Sequence, residues 1–358
     1  MAARSALVMP AKSSGTNFAS KRGVIPFFTF VSRRLKSSVR LFFLLAISAF
    51  SVAVSAEAQP LKKIRFQLDW YPQAETGGYI HALVHNYYKD AGLDVEIVPA
   101  SPGTPGISVV IAGGADIAMG PGDQILIARS QGLPLVSIMT TMQHDPKAVM
   151  VHDESSVKDF PDLEGHAIAV GPGTSWFQYI TKKYHLTKIR EMRLTFGVAN
   201  FLHDPNYIQE SFVTAEPFFC AQHGVKVRSL LVKDTGCDPY RIAFTTDKLI
   251  ESDPAAVQAF VTASIRGWKD YLVDPAATDE EIKRRNPQMT QAQLDFSRQA
   301  LIQGHFIDGD PAKGDAVGKL DPVRVTAQYK ILRDLNVIPN DYDYAKSFTT
   351  QFCTPTAK

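Results

Sequence analysis

The chain has 358 residues, with 38 Lys/Arg against 36 Asp/Glu. The basic excess sits in front: residues 1–58 hold eight bases and one acid, so the remainder carries 30 bases against 35 acids. A mildly acidic body gives no support for nucleic-acid or membrane-surface binding, and some 300 residues allow two lobes with separate cores, since single cores stop growing near ~250 to 300.

Leu41 to Ile47 is a short apolar run behind Arg33, Arg34, Lys36 and Arg40, and it leads into the small-residue stretch Val54-Ser55-Ala56-Glu57-Ala58. This reads as a secretory signal peptide over residues 1–58 with cleavage near Ala58, the run being too short for a membrane span. No cysteine lies near that point, so a lipid anchor is disfavoured and a periplasmic location is expected. Ile64 to Leu68 then alternates as a strand, Trp70 to Tyr79 reads as a loop, Ile80 to Asp90 has helical spacing, and Leu93 to Val98 alternates again. The loop carries Trp70, Glu75, Gly77-Gly78 and Tyr79, and strand-to-helix loops are where open α/β sheets hold small ligands.

Two later fragments share one plan. Asp116 to Met119 is a strand followed by Gly120-Pro121-Gly122, Asp123 and a helix from Gln124 to Gln131; Ala167 to Val170 is followed by Gly171-Pro172-Gly173, Thr174, Ser175 and a helix from Trp176 to Tyr184. Each ends on a helix start whose free amides can hold a polar group, and each is also ordinary turn-and-cap chemistry. Val149 to His152 is a strand at a change of character, and Arg241 to Thr246 a return strand. Helices follow over Ala255 to Leu272, Thr290 to Gln303 and Pro322 to Leu335. The expected organisation is lobe 1 over residues 59–148, lobe 2 over 149–240, a return to lobe 1 over 241–353, and a tail at 354–358. Alternating strands and helices imply an α/β fold, each lobe a mixed, mostly parallel sheet flanked by helices.

Cys220, Cys237 and Cys353 form no Cys-x-x-Cys pair and stand at no metal spacing with histidine; Cys220 and Cys237 either pair across a strand-sized segment or remain thiols. His81 and His85 are one helical turn apart, a metal-capable spacing, but with no carboxylate on that face they read as packed or surface residues. The absence of a Gly-x-Ser-x-Gly elbow, His-Glu-x-x-His or phosphate-loop lysine leaves catalysis without support. The chain is expected to be no enzyme, with no cofactor and no metal.

Several phrases recur in one known group. Leu68-Asp69-Trp70 with Pro72, Gly78 and Ala82, Tyr88 to Val95, Ala112 to Ala118, Ala128 to Pro134, Asp159 to Gly165, and Val213 to Phe218 followed by His223-Gly224 come in the order and spacing of that group. The chain resembles the substrate-binding proteins of bacterial ABC importers in the aliphatic-sulfonate and thiamine-pyrimidine-precursor group. The resemblance implies the two-lobed periplasmic-binding-protein fold of type II, a small-molecule ligand between lobes, transient contact with a membrane permease and its ATPase, and a monomer. The cargo it suggests is an aminopyrimidine thiamine precursor or related heteroaromatic; sulfonate or nitrate-type anions, or a pyrimidine-synthesising enzyme of the same fold, are the alternatives. Thr76 stands where pyrimidine-precursor binders commonly have histidine, and the cysteine-rich motif of the enzymes is absent.

The expected ligand contacts follow. Trp70 would stack on a ring. Glu216 is either a helix-start carboxylate or a pocket acceptor, and Glu75 a loop acid or its counterpart on lobe 1. Trp176, behind Thr174 and Ser175, either closes over ligand or packs its helix; Asp123 is a cap or a contact; Tyr79 completes the set.

Overall fold

A computed structural model describes residues 60–353 apart from 102, 172 and 173. The expected leader over 1–58, the Pro172-Gly173 part of the second turn motif and the tail at 354–358 lie outside the described residues.

Strands β1 (Lys62–Gln67), β2 (Leu93–Val98), β3 (Ile117–Pro121), β4 (Leu135–Met142), β5 (Lys147–His152), β6 (Ala167–Val170), β7 (Arg190–Arg193), β8 (Ile208–Phe212), β9 (Val227–Leu231) and β10 (Arg241–Thr246) form two sheets. Their orders are β2-β1-β3-β10-β4 and β7-β6-β8-β5-β9. In the first sheet β1 pairs parallel with β2 and β3, while β10 pairs antiparallel with β3 and β4. In the second, β6 pairs parallel with β7 and β8, while β5 pairs antiparallel with β8 and β9. Each sheet thus has one reversed strand, and in each it is the strand that arrives from the other sheet: β5 after β4, β10 after β9. The two sheets share one topology, with two connections passing between them.

The helices that position the site are α1 (Gly77–Val84), α2 (Gly106–Ile111), α3 (Gly122–Ser130), α4 (Ser175–Lys183), α5 (Glu216–Gln222), α6 (Pro254–Tyr271), α7 (Ala276–Arg285), α8 (Gln291–Gln303) and α9 (Pro322–Asp334). Both faces of each sheet are covered. Ala243 of β10 packs with Phe66, Phe260 and Trp268, whereas its neighbours Ile242 and Phe244 pack with Ile125 and Leu332 on the opposite face, as the two-residue period of a strand requires. Likewise Val149 and Val151 of β5 face one cluster and Met150 another. The second sheet therefore separates Cys237 from Cys220, which belong to these two clusters; all three cysteines are free thiols, and the possible Cys220–Cys237 pairing is corrected.

Two local expectations change. Helical spacing suggested one helix from Ile80 to Asp90, but α1 ends at Val84 and Asn86 adopts a left-handed backbone, φ 59°, before a separate turn of helix; asparagine is among the few residues that visit this region. Gly77-Gly78 is not a ligand loop. Both open α1, where a Cβ on Gly77 would strike the Tyr271 ring and one on Gly78 the Trp268 ring, so the glycines let α1 lie directly against α6. Among the described residues, no helix is long and apolar enough to cross a membrane.

Candidate functional site

The carboxyl ends of the parallel strands from the two sheets converge, and the residues just beyond them line the space between. After β1 come Asp69 and Trp70, after β3 Asp123, after β6 Ser175, and after β8 Glu216. Ligand crevices form at such strand ends in open α/β sheets because the diverging loops leave room there. The resulting cavity of about 220 Å³ is walled by Asp69, Trp70 and Arg241 from the first-sheet half and by Phe196, Glu210 and Glu216 from the second. A larger groove of about 600 Å³, around His152 and His166, takes all its walls from the second-sheet half, so movement between the halves could not open or close it.

Trp70 packs against Phe196 at the cavity wall, ring centroids 5.2 Å apart, and meets Tyr71 edge-on at 5.7 Å. Phe196 is 62% exposed in the loop after β7, an unusual state for a phenylalanine unless it meets a partner. Together the rings form an aromatic clamp with one jaw on each half.

The charge beneath the clamp is mostly negative. Arg241, 8% exposed at the start of β10, pairs with Asp69, lies 3.9 Å from Asp145 and sits 5.4 Å over the Phe212 ring. Burial lowers its pKa to about 10, so it remains charged at neutral pH. Lys147 lies 2.9 Å from Glu210, whose second oxygen accepts the Gly171 N–H at 2.9 Å. Burial pulls the Lys147 pKa down, but Glu210 and Asp145 outweigh it and hold the ammonium charged. Both bases are therefore committed to carboxylates. Glu216 is half-buried and accepts the Phe212 N–H at 2.7 Å while lining the cavity; burial raises its pKa and that N–H opposes the rise. The two readings of Glu216, helix-start carboxylate and cavity acceptor, coexist.

Glu75 sits behind this wall rather than in it. It belongs to a buried 3-10 turn, Ala74–Thr76, and is 4% exposed, with Oε1 lacking a hydrogen-bond partner. Burial raises its pKa to about 7, Thr214 opposing and Glu216 adding to the rise. The sign is the reverse of an ordinary surface carboxylate. Its folded-state pKa lies above the unfolded value, so its stabilising contribution is complete below about pH 4.5 and is lost as pH rises through about 7. Between pH 5 and 8, Glu75→Gln should gain about 2 to 3 kcal/mol of stability relative to the unaltered protein. Urea unfolding at the two pH values measures this; parallel pH dependences would mean that Glu75 is ionised in the folded protein.

A smaller void of about 70 Å³, also bordered by Lys147, gathers Asp123, Thr174, Ser175 and Trp176. The Ser175 hydroxyl donates to Asp123 Oδ2 at 2.5 Å, joining the two halves, and Asp123 also accepts the Gln124 N–H at 3.0 Å. Thr174 holds the N-cap position of α4, but its hydroxyl makes no cap bond. Trp176 is 3% exposed and packs among Val149, Ile168 and Ile180, so of its two readings the structure takes helix packing; the Lys147 ammonium lies 5.9 Å from its ring. Tyr79 is corrected: it is fully buried between Phe66 and Trp268, with its hydroxyl 2.6 Å from Thr141 Oγ1. Helical phase turns it from the cleft into the core. His81 and His85 stack at 4.1 Å, and His81 Nδ1 bonds the Thr278 hydroxyl.

Of the residues singled out from sequence, Trp70 and Glu216 line the main cavity, while Asp123, Thr174, Ser175 and Trp176 collect at the adjoining void. Arg241, Lys147, Glu210 and Phe196 were missed. Arg241 carried one weak signal, a charge opening the return strand, while Phe196, in Leu194-Thr195-Phe196-Gly197-Val198, carried none.

The chain is similar to known proteins over most of its described length. The NMT1/THI5-like family model matches residues 73–278. The riboflavin-binding protein RibY of Chloroflexus aurantiacus is 23% identical over 85% of this chain and 90% of its own length. The formylaminopyrimidine-binding protein of Halalkalibacterium halodurans is 22% identical over 65% of this chain and 73% of its own. Among solved structures, the periplasmic aliphatic sulphonate binding protein SsuA of Escherichia coli aligns with a TM-score of 0.62 at 15% identity, covering 80% of this chain and 91% of that one. On a two-lobed periplasmic-binding-protein fold, the chain belongs to the NMT1/THI5-like family.

Proposed function

We propose that this protein is the exported solute-binding component of an ABC importer, processed near Ala58 and acting in the periplasm as a monomer. It captures a small heteroaromatic nutrient bearing an amine or similar donor and hands it to a membrane permease driven by a separate ATPase. The observation that carries this reading is the Trp70–Phe196 clamp over a cavity that Glu216 lines with no basic partner among the described residues. A flat ring that parts the two rings, which now touch each other, gains stacking from both jaws, and its donor edge meets Glu216. An anion would face the carboxylates of Asp69, Glu210 and Glu216 with both bases already paired, so the cleft disfavours sulfonate and nitrate. The cavity of about 220 Å³ lies below the ~300 to 1,000 Å³ of drug-sized sites, which favours a single ring, such as an aminopyrimidine, over a three-ring system. Contact with both halves gives such a ligand its preference for the closed arrangement, the requirement for ligand-driven closure. The names of the riboflavin- and formylaminopyrimidine-binding relatives, both heteroaromatic cargoes, support the class.

Calorimetry with aminopyrimidines, alkanesulfonates and nitrate tests the assignment. Glu216→Gln exchanges a charged acceptor for a neutral one and should cost about 1.5 to 3 kcal/mol, roughly ten- to a hundredfold in affinity. Trp70→Ala should lose a comparable amount. For an anionic cargo Glu216→Gln would instead tighten binding. Unchanged affinity in both folded variants would place the ligand elsewhere, and chemical conversion of the bound pyrimidine would favour the enzyme reading.

A further inference from the structure

The turn between β8 and α5 is a place where the second-sheet half leans on the first. Val213 packs against the first-sheet core, the Thr214 carbonyl accepts the Ser297 hydroxyl of α8 at 2.6 Å, and Phe218 of α5 meets Phe296 of α8 with ring centroids 5.6 Å apart. Thr214 is fully buried, and its hydroxyl, which has no hydrogen-bond partner of its own, faces the Glu75 carboxyl of the first half. The groups around Glu75 bring it no compensating charge. On α5 it faces Glu216, a second carboxylate; on α6 it faces the Tyr271 phenol, whose hydroxyl donates to Asp279 of α7 at 3.3 Å. Arg298 of α8 is already paired with Asp279 and Asp295, at 3.1 and 2.9 Å. The Thr214 hydroxyl donates to an ionised carboxylate as readily as it accepts from a neutral one, so that contact serves either state. A charge on Glu75 is another matter, because it would be an anion taken out of water opposite Glu216. Since Thr214 and Glu216 belong to one half and Glu75 to the other, parting the halves separates the two carboxylates and admits water.

We propose that Glu75 is a proton-operated latch between the halves: protonated, it lets the Thr214–Glu216 turn seat on the first half and the cleft close; ionised, it drives the turn off and favours the open arrangement. The inference rests on the reading of the cleft as one that closes over a ligand. Closure then takes up one proton. In the closed arrangement burial raises the Glu75 carboxyl to about 7, against an ordinary value of 4.5 once the turn lifts and water reaches it. Falling pH therefore favours closure, by about tenfold per unit between about 7 and 4.5, and above that window closure no longer responds. Glu216 works in the opposite sense, since a donor edge needs its carboxylate and burial raises its pKa as well. The pair makes a binder that loads best in mildly acidic surroundings.

Glu75→Gln keeps the shape of the neutral carboxyl and cannot ionise. Calorimetry with 4-amino-2-methylpyrimidine and small-angle scattering of the ligand-free protein, both at pH 5.5 and pH 8, compare it with the unaltered chain. The ring should bind the two proteins within about threefold of each other at pH 5.5, and the variant at least about tenfold more tightly at pH 8. Protonation of the ring itself is common to both proteins and cancels in this ratio. A packing role for Glu75 would change affinity alike at both pH values, so a ratio independent of pH overturns the latch and leaves the heteroaromatic reading standing. Should the ring bind neither protein, the aminopyrimidine reading falls and scattering decides the latch. A radius of gyration larger at pH 8 than at pH 5.5 in the unaltered protein, with the variant compact at both, supports it; equal expansion in the two proteins, or none in either, overturns it.

Discussion

Arg241→Met should destabilise the protein by about 3 to 5 kcal/mol, because it removes the cation from a buried cluster and leaves carboxylates without a partner. The guanidinium is 8% exposed and faces Asp69 and Asp145. Asp145 is itself buried and its pKa is pushed up to about 7 by burial, with Lys147 opposing, so losing a nearby positive charge leaves it the choice of protonation or unfolding. Methionine keeps much of the volume, which separates lost charge from a cavity. Denaturant unfolding measures the effect, and adding Asp69→Asn to the methionine variant should restore part of the loss by removing one of the stranded charges. A loss under about 1 kcal/mol would mean that water already solvates the pair as it does a surface ion pair.

Gly267→Ala should cost about 2 to 3 kcal/mol although alanine is the better helix former. In α6 the new methyl would collide with the Gly78 carbonyl of α1 and lie 2.8 Å from the Ala82 Cβ and 3.0 Å from the Ala82 nitrogen. These are backbone atoms and a short side chain, with no rotamer to move away, so the two helices must separate. Overpacking of this kind costs about 1 to 3 kcal/mol and occasionally more, while helix propensity returns up to ~1 kcal/mol. Separation would also loosen Tyr79 and Trp268, whose rings meet edge-on at 5.8 Å. Thermal unfolding reads the outcome; an unchanged midpoint would show that α1 and α6 slide without penalty.

Much of the architecture was legible in the chain because it rests on local periodicity. The strands read at Leu93–Val98, Ala167–Val170 and Arg241–Thr246 correspond residue for residue to β2, β6 and β10, since a strand with one solvated face alternates while one buried on both faces is a short apolar run. The long C-terminal helices were equally readable: Asp253, Thr290 and Asp321 cap α6, α8 and α9 through their side chains, and capping is chemistry between near neighbours. Trp70 and Glu216 stood out by residue type at strand ends. What the sequence by itself determined is therefore the alternation of elements, their ends, and the aromatic and acidic residues just beyond the strands. Only the tertiary structure decided partners. Asp69 and Arg241 are 172 residues apart, Phe196 reaches Trp70 from the other sheet, and Gly77-Gly78, which looked like a loop for ligand, is a groove for Trp268 and Tyr271. Periodicity specifies which way a side chain faces relative to its own element, but which distant surface it meets depends on how the sheets and helices pack, and no local pattern encodes that.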